Sequence, residues 1–170
     1  MGSHADAWQE RSEVVGQWIA REGYHLLTGA GGGVMSAVSQ AFAEVADRAG
    51  RVIGIVPSVE EDPNRPPALG YPNPWVEIPI FTHLGVGAPR GDEPNSRNHL
   101  NVLTSSAIIL LPGGEGTASE GRLALRYGTP CVGFLKTRDE VPSLPSAVPI
   151  EPDFGGVIAY VSGAIGRPSM

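Results

Sequence analysis

The feature that most constrains the fold is a pair of glycine-rich loops, each placed between an apolar stretch and a helical pattern. The stretch Tyr24–Thr28 leads into the first loop, Gly29–Gly33, and Ala107–Leu111 leads into the second, Pro112–Gly116. Because each loop joins a strand to a helix, the following strand has to run in the same direction. Alternating strands and helices of this kind predict an α/β fold with a parallel sheet.

The rest of the chain supplies matching elements. Apolar residues at helical spacing predict helices at 6–22, 34–45, 96–105, 117–127 and 155–165. Short apolar stretches predict further strands at 51–56, 75–80 and 131–135. Long Pro- and Gly-rich loops are predicted at 57–74 and 82–95. The order indicates a single Rossmann-like domain over residues 1–170, with a mostly parallel, doubly wound sheet and helices on both faces.

The predicted order has one irregularity, at its start. The chain begins with a predicted helix. Ser3 or Asp6 would cap its start, and Gly23 would end it. A doubly wound sheet usually begins with a strand. We therefore expect that the first strand is missing or that the start of the chain is truncated.

Composition excludes several classes of protein. The 170 residues are 41% hydrophobic and 18% charged, which is typical of one globular domain. A net charge of −6 disfavours duplex nucleic acid and anionic membranes as partners. No apolar run approaches the roughly 20 residues of a membrane span, and no signal-peptide pattern is present. We expect a cytoplasmic protein with no nucleic-acid or membrane partner.

Cysteine and histidine usage also limits the chemistry. The single cysteine, Cys131, excludes an intramolecular disulfide, fits a reducing compartment, and lies in an apolar strand where an inert thiol is expected. The histidines show no metal-ligand spacing, so no protein-bound metal is expected. These histidines are His4, His25, His83 and His99.

Both loops are candidate sites for a phosphorylated ligand. Glycine lets backbone N–H groups approach a phosphate closely, and the helix that follows adds a favourable dipole. Open α/β sheets also bind ligands at the carboxyl ends of their strands, where both loops lie. The candidate binding residues are Gly29, Gly31, Gly32, Gly33, Gly113, Gly114, Gly116 and Thr117.

Two common phosphate-binding motifs are absent. The first loop has Val34 where the dinucleotide fingerprint has Gly or Ala, and the next strand ends without an acid to bind a ribose hydroxyl. No Gly-Lys-Ser/Thr follows either loop, which excludes a P-loop. The two loops therefore disfavour a dinucleotide cofactor and give no sign of a P-loop.

The second loop has a more specific pattern. The run Pro112–Glu120 resembles the PGGxGTxxE motif of the LONELY GUY family, whose members are also misnamed lysine decarboxylases. Arg97 lies fifteen residues before Pro112, where that family has an arginine, and Gly31–Met35 resembles its glycine motif. The resemblance spans about residues 23–135. It implies a Rossmann-like fold and a phosphoribohydrolase that cuts a nucleoside 5′-monophosphate into base and ribose 5-phosphate.

The resemblance implies catalytic roles for Arg97 and Glu120. Glu120 would stabilise the positive charge that develops on the ribose, or orient the attacking water. Arg97 would bind the phosphate or assist the leaving group. Spacing alone leaves structural alternatives open, because Thr117 and Glu120 fit a capping box and Arg97 fits a surface arginine. Asn101, one helical turn after Arg97, is a weaker candidate.

Another stretch departs from the hydrolase pattern. Hydrolase members tend to have Arg-Lys where this chain has Arg97 and Asn98, and Asn98 is a further candidate ligand-binding residue. The stretches Arg97–Ser106 and Val76–Ile80 resemble the molybdenum cofactor carrier proteins, a short branch of the same superfamily that binds a phosphorylated pterin without known chemistry. The intact Pro-Gly-Gly favours the enzyme, whereas Arg97–Ser106 favours the carrier.

The functional alternatives are therefore a hydrolase, a carrier and a regulatory nucleotide sensor. None needs a cofactor, and a bound nucleotide or molybdenum cofactor would be a ligand. The resemblance also implies a homodimer or higher oligomer. The apolar face of the helix after Glu120 is the candidate interface.

Overall fold

The computed structural model describes residues 1–58, 67, 69–85 and 91–166. The elements, in chain order, are α1 (Gln9–Arg21), β1 (Leu26–Thr28), α2 (Val34–Ala43), β2 (Val52–Ser58), β3 (Ile78–Gly85), α3 (Asn98–Thr104), β4 (Ile108–Leu110), α4 (Glu115–Tyr127), β5 (Cys131–Phe134), a 3-10 turn (Arg138–Glu140), β6 (Ile150–Glu151) and α5 (Phe154–Ile165). This alternation confirms the α/β class. Parts of the two predicted loops, residues 59–66, 68 and 86–90, lie outside the described residues.

The strands form two parallel sheets of three strands each. Their orders are β1-β2-β3 and β4-β5-β6. In the first sheet Leu26 pairs with Val52, and in the second Ile108 pairs with Cys131. The prediction of a mostly parallel sheet is confirmed. Among the described residues, however, no strand lies between β1 and β4.

Helices cover both faces of the strands, as predicted. One core cluster joins α1, α2 and α5 to the strands, and the other joins α3 and α4 to β4 and β5. The alternation of β5 explains the division, since Cys131 belongs to the second cluster and Val132 to the first. A fully buried side chain such as Phe42, at 0% exposure, contributes roughly 1.5–3 kcal/mol.

Several predicted element ends are wrong, for local reasons. β2 continues through Pro57 to Ser58, because a register shift between Val56 and Ser58 accommodates the proline. β3 extends to Gly85, into the stretch expected to be a loop, and it is an edge strand, which accommodates Pro79. α2 ends at Ala43, two residues before the predicted end at 45. β6 was not predicted.

The observed starts of α1 and α4 differ from the capping patterns predicted for them. α1 begins after Trp8, whose φ of 44° is left-handed, and no side chain caps it. Ser3 instead accepts hydrogen bonds through Oγ from the N–H groups of Ala5 and Asp6. α4 begins at Glu115 rather than at Thr117. In the described part of the chain, no helix is long and apolar enough to cross a membrane.

The start of the chain lies beside β4. The amino group of Met1 donates to Ile109 O at 2.8 Å, and Leu111 N donates to Met1 O at 2.7 Å. Ser3 N then donates to Pro112 O at 2.9 Å. Residues 1–3 therefore run alongside the carboxyl end of β4, next to the second glycine-rich loop.

Candidate functional site

A cavity of about 710 Å³ lies at the carboxyl ends of β1 and β4. This volume is in the range of roughly 300–1,000 Å³ that is usual for small-molecule sites. Most of the lining residues come from the start of the chain, the loop after β1, the stretch 69–71 before β3, the start of α3, and the first turns of α4. Of the residues predicted for the site, those that line it are Gly29, Arg97, Asn98, Asn101, Gly114, Gly116, Thr117 and Glu120.

The second glycine-rich loop forms part of the cavity wall together with the start of α4. The N–H groups of Thr117 and Ala118 donate to Gly114 O, so residues 114–116 hold the first-turn N–H groups that lack a partner inside the helix. No side chain caps this helix. A Cβ atom on Gly114 or Gly116 would meet nothing within 4 Å. The helix start therefore offers N–H donors and open space to an anion.

Gly113 has a packing role instead. Its N–H donates to Glu140 O at 3.0 Å, and it does not line the cavity. A Cβ atom here would overlap with Thr117 Oγ1 and lie 2.9 Å from Ser3 N. The glycine lets the loop pack against the start of the chain. Thr117, the third residue of α4, is buried below it.

The first loop is covered by the start of the chain. Ser3 O accepts a hydrogen bond from Val34 N at 2.9 Å, at the beginning of α2. A Cβ atom would lie 2.8 Å from His4 Nδ1 if added to Gly31, and 3.4 Å from His4 O if added to Gly32. Gly33 has a φ of 58° and also faces His4. Of the four glycines predicted in this loop, the structure brings Gly29 to the cavity.

Arg97 is buried, with 5% of its surface exposed, so the surface-arginine alternative is wrong. Its Nη1 donates to Gly29 O and, at 2.7 Å, to Ile55 O. Its Nε has no hydrogen-bond partner among the described residues. Burial lowers the pKa of this guanidinium, and Tyr71 and Glu120 partly offset that effect. Arg97 therefore joins the loop after β1 to β2 while it lines the cavity.

Glu120 is also buried, at 7% exposure, and it does not cap α4. The Thr117 N–H, which a capping box would leave to Glu120, donates to Gly114 O. Glu120 Oε1 instead accepts from Asn101 Nδ2 at 3.1 Å. Burial raises the pKa of this carboxyl group, and the Met1 amino group, Asn101 and Arg97 oppose the shift.

Asn98 links the two helices of the site. Its Nδ2 donates to Ser119 Oγ at 2.8 Å, and Ser119 Oγ donates to Gly116 O at 2.8 Å. Asn98 thereby fixes the start of α3 against the first turn of α4. This contact supports the second loop through the amide nitrogen of Asn98.

An aromatic pair in the cavity was missed by sequence reasoning. The rings of His4 and Tyr71 stack, with centroids 5.7 Å apart and planes at 20°, and both line the cavity. The Arg97 guanidinium lies 5.2 Å from the Tyr71 ring centroid. The available signal was an aromatic residue between Gly70 and Pro72, in a stretch otherwise treated only as a long loop.

Cys131 lies outside this cavity. It is 4% exposed, and burial raises the pKa of its thiol to about 12, so the thiol stays protonated at neutral pH. Within the described ranges, no group of three or more His, Cys, Asp or Glu residues could hold a metal ion.

Comparison with known proteins identifies the family. The profile of the SLOG cluster4 family matches residues 1–148. An uncharacterized protein of Archaeoglobus fulgidus is 32% identical over 114 residues, which is 67% of this chain. The match spans 62% of that relative, less than two thirds of its length.

Two solved structures share the fold. The molybdenum cofactor binding protein of the phototrophic bacterium Rippkaea orientalis is 27% identical, with a TM-score of 0.65 over 97% of this chain and 93% of that one. A Moco carrier protein from Chlamydomonas reinhardtii is 27% identical, with a TM-score of 0.64 over 99% of this chain and 94% of that one. These matches confirm the predicted resemblance to the branch of the carriers. With most of its length matched by the family profile, this chain belongs to the SLOG cluster4 family.

Proposed function

We propose that this protein binds a small molecule in which a flat ring system is joined to a phosphate, and that it carries molybdenum cofactor or a related pterin phosphate. The observation on which this proposal rests is one cavity that has free helix N–H groups at one part of its wall and an aromatic pair at another. A phosphorylated pterin has matching groups at its two ends.

The phosphate would bind at residues 114–116. The N–H groups of residues 114–116 have no partner inside the helix, and both glycines leave open space. The helix dipole favours an anion at this end. Arg97 would add positive charge nearby, although its Nη1 already donates to Gly29 O and Ile55 O.

The ring system would pack against Tyr71 and His4. Flat rings stack well on aromatic side chains, and a favourable pair contributes about 0.5–1.5 kcal/mol beyond its buried area. The Arg97 guanidinium, 5.2 Å from the Tyr71 centroid, holds the tyrosine ring in place by a cation–π contact. This end of the cavity would distinguish a pterin or a nucleobase from free phosphate.

Two observations favour carriage over hydrolysis. The solved structures described above are named for molybdenum cofactor binding and for its carriage. Arg97 is held by two backbone carbonyl groups, and burial raises the pKa of Glu120, which disfavours the carboxylate that a glycosidase needs. Both groups are better placed to shape the cavity than to take part in bond cleavage.

The direct test is to purify the protein, extract it under oxidising conditions and look for a fluorescent pterin. We expect a pterin from the wild type and much less from Gly116→Ala, whose methyl group would stand where the phosphate binds. Gly163→Ala is the matched control, because Gly163 is an exposed α5 glycine with nothing within 4 Å of its Cβ position. A wild-type protein that yields no pterin and binds none when molybdenum cofactor is added would contradict carriage.

Hydrolysis of a nucleoside 5′-monophosphate is the second candidate. The observation in its favour is that Glu120 and Arg97 line the same cavity as the phosphate loop. Glu120 would stabilise positive charge on the ribose while water attacks the anomeric carbon. A panel of nucleoside 5′-monophosphates, assayed for free base by chromatography, tests this candidate. Base release that is lost in Glu120→Gln would establish it, and no release from any substrate would exclude it.

A further inference from the structure

Two buried polar atoms at the start of α3 have no hydrogen-bond partner among the described residues, and both belong to residues that line the cavity. They are the N–H donor Nε of Arg97 and the acceptor Oδ1 of Asn101. Asn101 N donates to Arg97 O at 3.2 Å, so the two residues lie one helical turn apart on the same face. Arg97 is 5% exposed and Asn101 is 1% exposed. An unpaired buried polar group destabilises the folded protein, so a partner from the ligand is the explanation to test.

The unpaired oxygen of Asn101 is held in place by the other polar atoms of this residue. Asn101 Nδ2 donates to Glu120 Oε1 at 3.1 Å, and Asn101 O accepts from Ser105 Oγ at 2.7 Å. Because an ionised carboxylate only accepts hydrogen bonds, the amide nitrogen has to face Glu120. Oδ1 is therefore a fixed acceptor.

The unpaired donor of Arg97 is fixed as well. Its Nη1 donates to Gly29 O and to Ile55 O. A Cβ atom on Gly29 would lie 3.0 Å from Arg97 Nη2 and 3.1 Å from Cζ, so the loop after β1 packs directly on the guanidinium. The guanidinium carbon also lies 5.2 Å from the centroid of the Tyr71 ring. Arg97 Nε and Asn101 Oδ1, which we call the donor–acceptor pair, thus adjoin the aromatic residues of the cavity.

We propose that the donor–acceptor pair recognises a ligand ring edge on which a carbonyl oxygen lies next to a ring N–H, and that Asn101 is the residue that determines ring specificity. The carbonyl oxygen would accept from Arg97 Nε, and the ring N–H would donate to Asn101 Oδ1. Pterins have this edge, and so does guanine. The inference rests on the proposed binding of a ring system joined to a phosphate, and it adds which edge of that ring meets α3.

The chemistry of the two atoms restricts the ring. An edge with two acceptors would place a lone pair against Asn101 Oδ1, and an edge with two donors would place an N–H against Arg97 Nε. Both arrangements leave a buried polar atom unpaired, which weakens binding. An ordered water also satisfies both atoms, since it donates and accepts, but a water would not discriminate between rings.

The test uses hydroxymethylpterin phosphate and its derivative methylated at the ring N–H, titrated into the full chain by calorimetry. Methylation removes the donor and keeps the ring and the phosphate. We expect the methylated probe to bind the wild type about tenfold more weakly. Asn101→Leu should weaken binding of the parent probe and leave the affinity for the methylated probe unchanged, so that the preference disappears.

A double variant separates the contact with the ligand from the support of Glu120. In Asn101→Asp/Glu120→Gln the amide and the carboxylate exchange places, so that their mutual hydrogen bond is kept and position 101 still has an oxygen for the ligand. This double variant should retain the preference for the unmethylated ring. If Asn101→Leu does not fold, the double variant and the two affinities of the wild type still decide the question.

Guanosine 5′-monophosphate and its derivative methylated at the ring N–H keep this inference separate from carriage. A preference for the unmethylated nucleotide without binding of either pterin would contradict carriage of a pterin and support the donor–acceptor pair. Tight but equal binding of both pterin probes would overturn the pair and leave carriage standing. A preference that survives in Asn101→Leu would overturn the role of Asn101, and binding of none of the probes would overturn both proposals.

Discussion

Glu120 illustrates what can be learned at the scale of a single residue. The motif at 112–120 predicts that this carboxyl group belongs to a site. It does not predict the partner, because the Asn101 amide comes from α3, nineteen positions earlier. Capping boxes are recognised by spacing, and the spacing from Thr117 to Glu120 fits one although α4 starts two residues sooner. Burial, which sets the chemistry of this group, depends on tertiary packing.

Replacement of Glu120 by Gln should stabilise the protein at neutral pH. Burial raises the folded-state pKa of Glu120 above its ordinary value of 4.5. Its favourable contribution is therefore present below pH 4.5 and is lost as the pH rises through the folded-state pKa. Urea unfolding should show a gain in Glu120→Gln that is small near pH 4.5 and grows towards pH 7.5.

Glu140→Gln is the control of opposite sign. The Arg11 guanidinium holds the pKa of Glu140 below its usual value, and the two side chains form an ion pair at 2.8 Å. Its contribution is present above the unfolded-state pKa and is lost as the pH falls through the folded-state pKa. Glu140→Gln should therefore be less stable than the wild type at pH 7.5. A Glu120→Gln variant that loses stability in the same way would contradict the account.

Tyr71 should determine affinity for the ring of the ligand. Tyr71→Ala removes the stacking surface and should weaken ligand binding by about tenfold, which corresponds to about 1.4 kcal/mol. Tyr127→Ala is a matched control, because Tyr127 also pairs with a histidine, His99, at 5.8 Å between centroids, but does not line the cavity. Titration calorimetry distinguishes the two. Equal losses in both variants would remove Tyr71 from the site.

At the scale of elements, the strand–loop–helix units were predictable from the sequence. The residues that pack over the first loop were not. Periodicity and glycine placement predict β1 with α2 and β4 with α4, because these signals are local. The burial of Gly31 and Gly33 under His4 depends on residues almost thirty positions apart. β6 has only two residues, too few for a periodic signal. Sequence reasoning therefore located both loops but could not tell that Gly114 and Gly116 of the second loop line the cavity, whereas the first loop contributes Gly29.

The packing of α1 on α2 depends on Gly16. A Cβ atom at this position would lie 2.9 Å from both Ala41 Cβ and Phe42 N, atoms that have little freedom to move. Alanine normally stabilises a helix relative to glycine by about 1 kcal/mol, but overpacking costs roughly 1–3 kcal/mol. Gly16→Ala should therefore lower the free energy of unfolding.

The exposed Gly163 is again the control for this measurement. Nothing lies within 4 Å of its Cβ position in α5, so Gly163→Ala should gain up to about 1 kcal/mol. Urea unfolding of the two variants side by side separates packing from helix propensity. A gain of stability in Gly16→Ala would show that the two helices have room to separate.

At the scale of the whole molecule, the sequence predicted a Rossmann-like fold and an irregular start. The family match and the shared fold confirm the first prediction. The position of residues 1–3 needed the structure, because only the hydrogen bonds of Met1 and Ser3 place them beside β4. Met1, Gly2 and Ser3 line the cavity next to the second loop, which local patterns do not indicate.

The predicted oligomer can be tested on the outer surface of α3 and α4. Leu103 is 58% exposed and Leu125 is 44% exposed on these neighbouring helices. Exposed apolar side chains on adjacent elements favour association with a second copy. We expect a dimer in the wild type and a monomer in Leu103→Lys/Leu125→Lys, as measured by light scattering. Ile80→Lys, at another exposed apolar residue, should remain dimeric.

The central claim is that the phosphate of the ligand binds at the start of α4. The most direct measurement is a titration of the protein with a phosphorylated pterin and with the same pterin after removal of its phosphate. The account predicts tight binding of the phosphorylated form, weak binding of the other, and loss of this difference in Gly116→Ala but not in Gly163→Ala. Equal affinity of the wild type for both forms would contradict it.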